Sequence, residues 1–444
     1  MPPRHPVVRR RTLWVVGIGF VASIVTWNPS DTVPGENAWS NEAGRTAGSR
    51  YSSPGPSLFG GGSAEAADEC SRFVSAANVA LAETEKTKSP AKAREALGLL
   101  ERAARLCPED PQVPFLAGLA CVLLADADGA RTAAVSVERL MTARALESNR
   151  PASEGANDPR VLYLRALVSR NFGKRPDVAI ELLGRIRARD PGFLPNAVMT
   201  VLFWSHIDYA IALSEAGDDE GSVKQASLAE AVARSARFDA QEKVDKIDLA
   251  RHRRAQVLAS GSRWAEAQDL LDDLAKRYPN DVHVRFDLST AYAEQYRLDD
   301  AVASWRETLR LLAVDSKYAE LLSDAPMRLG VCLCQRGDTA EGMKELQKYV
   351  DAHPNDSRGW YYLGKGAVLT DEPCKAVEFL ERARALDASC EGVLRELAKL
   401  YGTSCPDPKK AKELEEILEK GKVAREAEMK RRHHVRPDKT DGCR

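Results

Sequence analysis

Apolar and small residues in the second half of the chain recur on helical faces with a long period. Ala376, Leu380 and Ala383 fall at i, i+4 and i+7, and Trp360, Leu363 and Gly364 precede them at i, i+3 and i+4. Each set lines one stripe of an α-helix, and the break between them predicts a pair of helices joined by a turn. The pair repeats every 34 residues: Leu329 and Gly330 stand one period before Leu363 and Gly364, with Leu346 and Pro354 completing that copy. One period later Leu394, Leu397 and Tyr401 continue the register. Upstream, Leu288, Tyr292, Ala301 and Trp305 fit it, as do Ala255, Leu258, Ala267, Leu271 and Pro279. The residue types have a physical reason. Gly364 and Ala376 sit where the helices of one pair touch, so a branched side chain would part them, while Leu363 and Leu380 fill the space between pairs. Tyr278-Pro279-Asn280-Asp281 and His353-Pro354-Asn355-Asp356 each close one pair and open the next, because proline stops the helix.

The pattern is weaker towards the amino terminus. Ala179, Leu183, Ile186 and Pro191 make a second helix preceded by Tyr163 and Leu167. Ala96, Leu100, Ala103 and Pro108 make another, with Ser89 as its cap and Pro90 as its first residue. Gly118 and Ala130 mark the pair between them, and two longer helices from Leu194 to Phe238 break at Gly217 to Gly221. A loop from Ser148 to Asp158 would divide the array into two lobes. The prediction is an all-α fold, an α-solenoid superhelix of about nine antiparallel helix pairs between Ala67 and Arg432. Residues 67–238 carry divergent repeats and 239–407 the regular ones. A charged helix at 408–432 caps the stack, and 433–444 form a basic tail.

The quoted residues resemble the tetratricopeptide repeat family, whose pattern runs W-x2-L-G-x2-Y, then A-x3-F, then P. Ala367 departs from it where an aromatic is expected, and Ala388 where proline is. The resemblance implies a binding protein whose ligands lie against the first helices of successive pairs, on the concave side. On that geometry Arg328, Arg358, Tyr362, Lys365, Arg395 and Lys399 come near one another. Basic groups with an aromatic suit an acidic peptide or a chain-terminal carboxylate. The alternative is a solvated face of internal ion pairs. The set does not reproduce the lysine and asparagine pairs of chaperone-binding relatives, since Lys365 and Lys399 stand where asparagine would help.

Charge narrows the partner. Lys and Arg total 64 against 65 Asp and Glu, so no global field draws the chain onto nucleic acid. The first residues differ in character. Arg4, Arg9, Arg10 and Arg11 precede an apolar run from Leu13 to Trp27, which reads as an export signal or signal anchor over residues 1–27. As a helix that run spans about 22 Å, less than a bilayer's hydrocarbon core. Residues 28–66, rich in Pro, Gly and Ser, read as a disordered tether. Export by either route places the repeats outside the cytoplasm, in a cell envelope on the periplasmic side of the membrane, or secreted. The Ala- and Arg-rich composition has a bacterial look.

Nine cysteines leave at least one unpaired. Cys332 and Cys334, two apart on a helix, point away from each other and read as small buried hydrophobes. Cys374 and Cys405 each fall in the turn inside a pair, and stacking of adjacent pairs brings a disulfide within reach in an oxidising compartment. Asp126 to Gly129 looks like a fragment of a calcium loop, but Leu124 and Val135 occupy ligand positions, so it reads as a turn. His433 and His434 belong to the basic tail. The sequence has no H-E-x-x-H, G-x-S-x-G or phosphate-binding loop, so the expectation is a scaffold without enzymatic activity, metal or cofactor. Two alternatives stand beside it: a protein that exchanges disulfides with clients, and a regulatory repeat subunit of a separate enzyme.

Overall fold

The computed structural model describes residues 64–314, 318 and 323–434; the export segment and most of the tether and tail lie outside them. Nineteen α-helices follow one another among the described residues, with no strand. The chain divides between Arg263 and Trp264 into two compact units.

The first unit holds α1 (Ala64–Thr87), α2 (Pro90–Leu106), α3 (Gln112–Leu123), α4 (Ala127–Glu147), α5 (Ser153–Ala156), α6 (Pro159–Asn171), α7 (Pro176–Arg189), α8 (Pro195–Glu215), α9 (Asp219–Ser235) and α10 (Ala240–Ser260). The second holds α11 (Trp264–Arg277), α12 (Val282–Glu294), α13 (Leu298–Val314), α14 (Ala325–Arg336), α15 (Thr339–Ala352), α16 (Ser357–Leu369), α17 (Pro373–Leu386), α18 (Glu391–Gly402) and α19 (Pro408–His434). With the single-turn α5 set aside, eight successive pairs lie within the units, α10 closing the first unit and α11 opening the second. In each unit sequential neighbours pack on one another, so both units are α-solenoids.

Helix α1 starts at Ala64, inside the stretch whose composition reads as tether: Ala64, Ala66 and Ala67 favour helix, and Glu65 suits its first turn. The expected loop at 148–158 is not a lobe boundary. It contains α5, where Gly155 sits so close to Thr142 that a Cβ would overlap that residue's backbone, and α4 packs directly on α6 beside it.

Six of the turns between successive helices share one device. Asp126, Asp218, Arg263, Arg297, Asp338 and Glu372 each donate the backbone N–H to the carbonyl five residues back, over 2.8–3.0 Å. The residue before each is left-handed: Ala125, Gly217, Ser262, Tyr296, Gly337 and Asp371, with φ between 57° and 107°. This 6→1 bond satisfies a carbonyl that the helix end leaves open. Four of the six left-handed residues are not glycine, so the chain takes this turn where its local sequence does not ask for it. The turns between pairs are alike too: His353 and Tyr278 each donate to the carbonyl four back, and Asp356 and Asp281 to those of His353 and Tyr278. Asp281 and Asp356 then cap the next helix by accepting from His283 and Arg358. Pro90 opens α2 as the sequence predicts, but the Ser89 side chain makes no cap bond.

Packing follows the small-residue positions. In the first unit Phe115, Tyr163 and Phe193 form a triangle with centroids 6.1–6.5 Å apart. In the second, Phe286 meets Trp305 edge to face at 5.0 Å, and Leu329, Leu363 and Leu397, one period apart, are all buried. At Gly364 a Cβ would lie 2.7 Å from Leu380 Cγ, so the first and second helices of that pair touch as expected. Helices α14 and α15 also cross closely, where glycine faces glycine: a Cβ on Gly342 would lie 2.7 Å from the carbonyl oxygen of Gly330.

Helix α8 is long and apolar enough to cross a membrane by length and composition, and half of its apolar stretch is buried inside the first unit.

Candidate functional site

The six basic and aromatic residues singled out from sequence lie on α14, α16 and α18, the first helices of three successive pairs in the second unit. They form two rows rather than one patch. Counted from the buried leucines, Arg328 and Tyr362 share one register position, Arg395 shares another with Tyr361, and Lys365 and Lys399 a third.

In the first row the charges are committed internally. The Arg328 side chain donates to Asp324 at 3.1 Å and lies over the rings of Phe286 and Trp305 at 5.4 and 5.9 Å. Arg358 grips Asp356, with its shortest bond 2.6 Å, and stands 4.0 Å from Asp324. Asp356 also accepts from the Tyr349 hydroxyl at 2.7 Å. Burial alone would raise the Asp356 carboxyl, but the bonds from Arg358 and Tyr349 outweigh it and hold the group below its ordinary range. Tyr362 sits half-buried beside this cluster; burial raises its phenol, and the fields of Arg328 and Arg358 oppose the rise.

The second row is more open. Lys365 is exposed and stands 5.8 Å over the ring of Tyr361, whose phenol is pushed up to about 12 by burial. Tyr361 and Tyr362 contact each other with centroids 5.2 Å apart. Arg395 donates to Glu391 at 2.6 Å, so it is part of an exposed ion pair. Lys399 is exposed, and neither it nor Lys365 has an ion-pair partner among the described residues. Of the six predicted groups, two lysines and one tyrosine therefore present chemistry that the fold has not already used. Tyr361 belongs with them and was missed. The signal was available, since Tyr361 stands four residues before Lys365 and so beside it on the helix.

The cysteines divide cleanly. Cys374, near the start of α17, is bonded to Cys405 in the turn between α18 and α19, with Cα atoms 5.7 Å apart. A second disulfide joins Cys70 in α1 to Cys107 at the end of α2, across 6.4 Å. Their sequence separations, 31 and 37 residues, are both near one repeat, which is the clue that would have found the second. Cys332 and Cys334 are buried, and burial pushes both thiols up to about 11; Cys121 behaves the same way. Cys390, at the cap of α18, is unbonded and partly exposed. Among the described residues no group of three His, Cys, Asp or Glu side chains could hold a metal ion.

Stacked helical hairpins offering side chains from successive first helices define a helical-repeat binding protein. Residues 250–281 and 324–356 match the model of the tetratricopeptide repeat family. Among solved structures it is similar to YrrB, described as a tetratricopeptide repeat protein with an unusual peptide-binding site (17% identity, 43% of this chain and 89% of that one, TM-score 0.33). It is also similar to MamA from Desulfovibrio magneticus RS-1 (20% identity, 39% and 96%, TM-score 0.34) and to the Cut9 and Hcn1 assembly of the APC/C (10% identity, 73% and 55%, TM-score 0.40). Likeness at this level says nothing about partner or location. No curated protein matches the sequence.

Proposed function

We propose that this protein is an exported scaffold that holds an acidic peptide segment of a partner against α16 and α18, within a complex of the cell envelope. Tetratricopeptide repeats make protein–protein interaction the general role; the acidic ligand and the location are the specific reading. The observation that carries it is that Lys365 and Lys399, in the same register on neighbouring first helices, have no ion-pair partner among the described residues, with Lys365 over the ring of Tyr361, which contacts Tyr362. A carboxylate there gains a charge-assisted bond without breaking an internal pair, whereas at Arg358 it would have to displace Asp356. Two disulfides favour an oxidising compartment, and the basic, apolar residues 1–27 supply a route to it and a membrane tether if they are retained. In-cell crosslinking with mass spectrometry of captured proteins tests this. Lys365→Glu with Lys399→Glu is expected to lose one dominant envelope partner. Unchanged capture refutes the acidic-ligand reading, and cytosolic partners alone refute the location.

A further inference from the structure

We infer that the arginines packed between α9 and α10 form a second binding site, which takes a phosphate group. The inference uses the first unit alone and does not depend on the ligand proposed above.

Helix α9 places Glu230 and Arg234 one turn apart, and α10 brings Arg251 and Arg254 against them. Arg234, Arg251 and Arg254 each donate a bond to the Glu230 carboxylate, at 2.6, 3.0 and 3.1 Å. Both of its oxygens are engaged: Oε1 accepts from Arg234 and Arg251, and Oε2 from Arg254. The second anion is the buried Asp248, 3.8 Å from Arg251. Three guanidiniums therefore meet two carboxylates. Around them, residues 231–238 and 249–263 carry Arg234, Arg237, Arg251, Arg253, Arg254 and Arg263 and no Asp or Glu, in a chain whose 64 basic and 65 acidic residues otherwise cancel.

Stability does not account for the cluster. Counted back from the small residue of the second helix, Arg254 before Ala267 takes the place of Leu288 before Ala301, Leu329 before Gly342 and Leu363 before Ala376. Those three leucines are buried. Arg251 takes the place of Trp360 in the same count. The array gives up apolar burial at these two positions, and a partly buried ion pair is a poor replacement for it. A position that breaks the rule of its own repeat points to function.

Phosphate fits what the cluster leaves open. Arg234 and Arg254 spend one N–H each on Glu230 and keep the rest of their planar forks. All three side chains reach solvent, with exposures of 56, 25 and 27% for Arg234, Arg251 and Arg254 against 9% for Glu230. Glu230 already fills the carboxylate's place between them. Forks arriving from two helices suit a tetrahedral oxyanion, and a doubly charged phosphate draws more from them than another carboxylate would. Free phosphate and a phosphate-ended lipid headgroup carry the same chemistry.

The test is calorimetric titration of the full chain at low salt with inorganic phosphate, and separately with vesicles of phosphatidylcholine alone or mixed equally with phosphatidic acid. Saturable binding is expected, weakened about tenfold in Arg234→Gln and in Arg254→Leu, each of which leaves Glu230 two arginines. Arg254→Leu restores the residue type of the repeat, so its urea midpoint should not fall, which separates lost binding from lost fold. Glu230→Gln releases the arginines from their internal anion and should bind more tightly. A response to inorganic phosphate assigns the site to free phosphate, and a response to the mixed vesicles alone assigns it to a lipid headgroup. No binding of either probe by the parent, or equal binding by the folded arginine variants, overturns the inference.

Discussion

The same substitution, glycine to alanine, is expected to change sign between sites because the array uses glycine in two ways. In the interior of a helix alanine is better than glycine by up to about 1 kcal/mol. At Gly98 in α2 and Gly184 in α7 a Cβ would meet nothing within 4 Å, so each replacement keeps most of that gain, about 0.5–1 kcal/mol. At Gly342 in α15 the added carbon would lie 2.7 Å from the Gly330 carbonyl oxygen and 2.8 Å from the backbone nitrogen of Cys334. Backbone does not swing aside as a side-chain end does, so α14 and α15 must separate. Overpacking of this kind costs about 1–3 kcal/mol, and the shift also loosens Leu346 and Tyr349 behind the crossing. The expected net loss is about 2 kcal/mol. Urea unfolding of the oxidised protein, followed by the fluorescence of Trp305 and Trp360 in the second unit, measures it as a lower midpoint. Gly184→Ala and Gly98→Ala, followed through Trp204 in the first unit, should raise theirs. A Gly342→Ala protein as stable as the parent would mean the helices are not in backbone contact there, and the account of the pairing would be wrong.

Three further expectations follow from single features. Tyr296, left-handed at φ 58° and 77% exposed, loses no packing on replacement by glycine, so Tyr296→Gly should stabilise by about 0.5–1 kcal/mol in the same assay. Asp356→Asn should cost about 2 kcal/mol at pH 7 by unpairing Arg358 and weakening the Tyr349 bond. Because the folded carboxyl lies below its unfolded value, its stabilisation is complete above that value and disappears as pH falls through the folded one, so the two proteins' urea midpoints should converge below about pH 4. Removing the Cys374–Cys405 bond with a double serine variant opens a 31-residue loop, for which chain entropy gives about 3.5 kcal/mol; an unchanged midpoint would mean that the bond is not formed in solution.

The pairing of helices was legible because the interior of a solenoid repeats: Leu329, Leu363 and Leu397 see the same surroundings and so the same side chain recurs. Where a residue answers to one neighbour alone the signal vanishes. Ala125, Ser262, Tyr296 and Asp371 adopt the left-handed turn because the helices on either side fix the path, and nothing in their own chemistry announces it. The charged face shows a different limit. Residue type and register correctly place Arg328 and Arg358 on first helices beside Tyr362, but whether a charge is available depends on Asp324 and Asp356, which precede the helical stripes; Asp356 reads from sequence only as a turn residue and Asp324 carries no signal at all.

The two disulfides also have a mechanical meaning. A stack of hairpins pulled along its chain gives way first at its terminal members, which have a neighbour on one side only. One bond lies within the first described pair and the other joins α17 to the turn before α19. The stretch from Cys374 to Cys405, a sequence separation of 31, is thereby withdrawn from extension, about 110 Å of contour that a pulling force cannot release. Stretching the oxidised protein should lack the length step of this segment, and reduction should restore it.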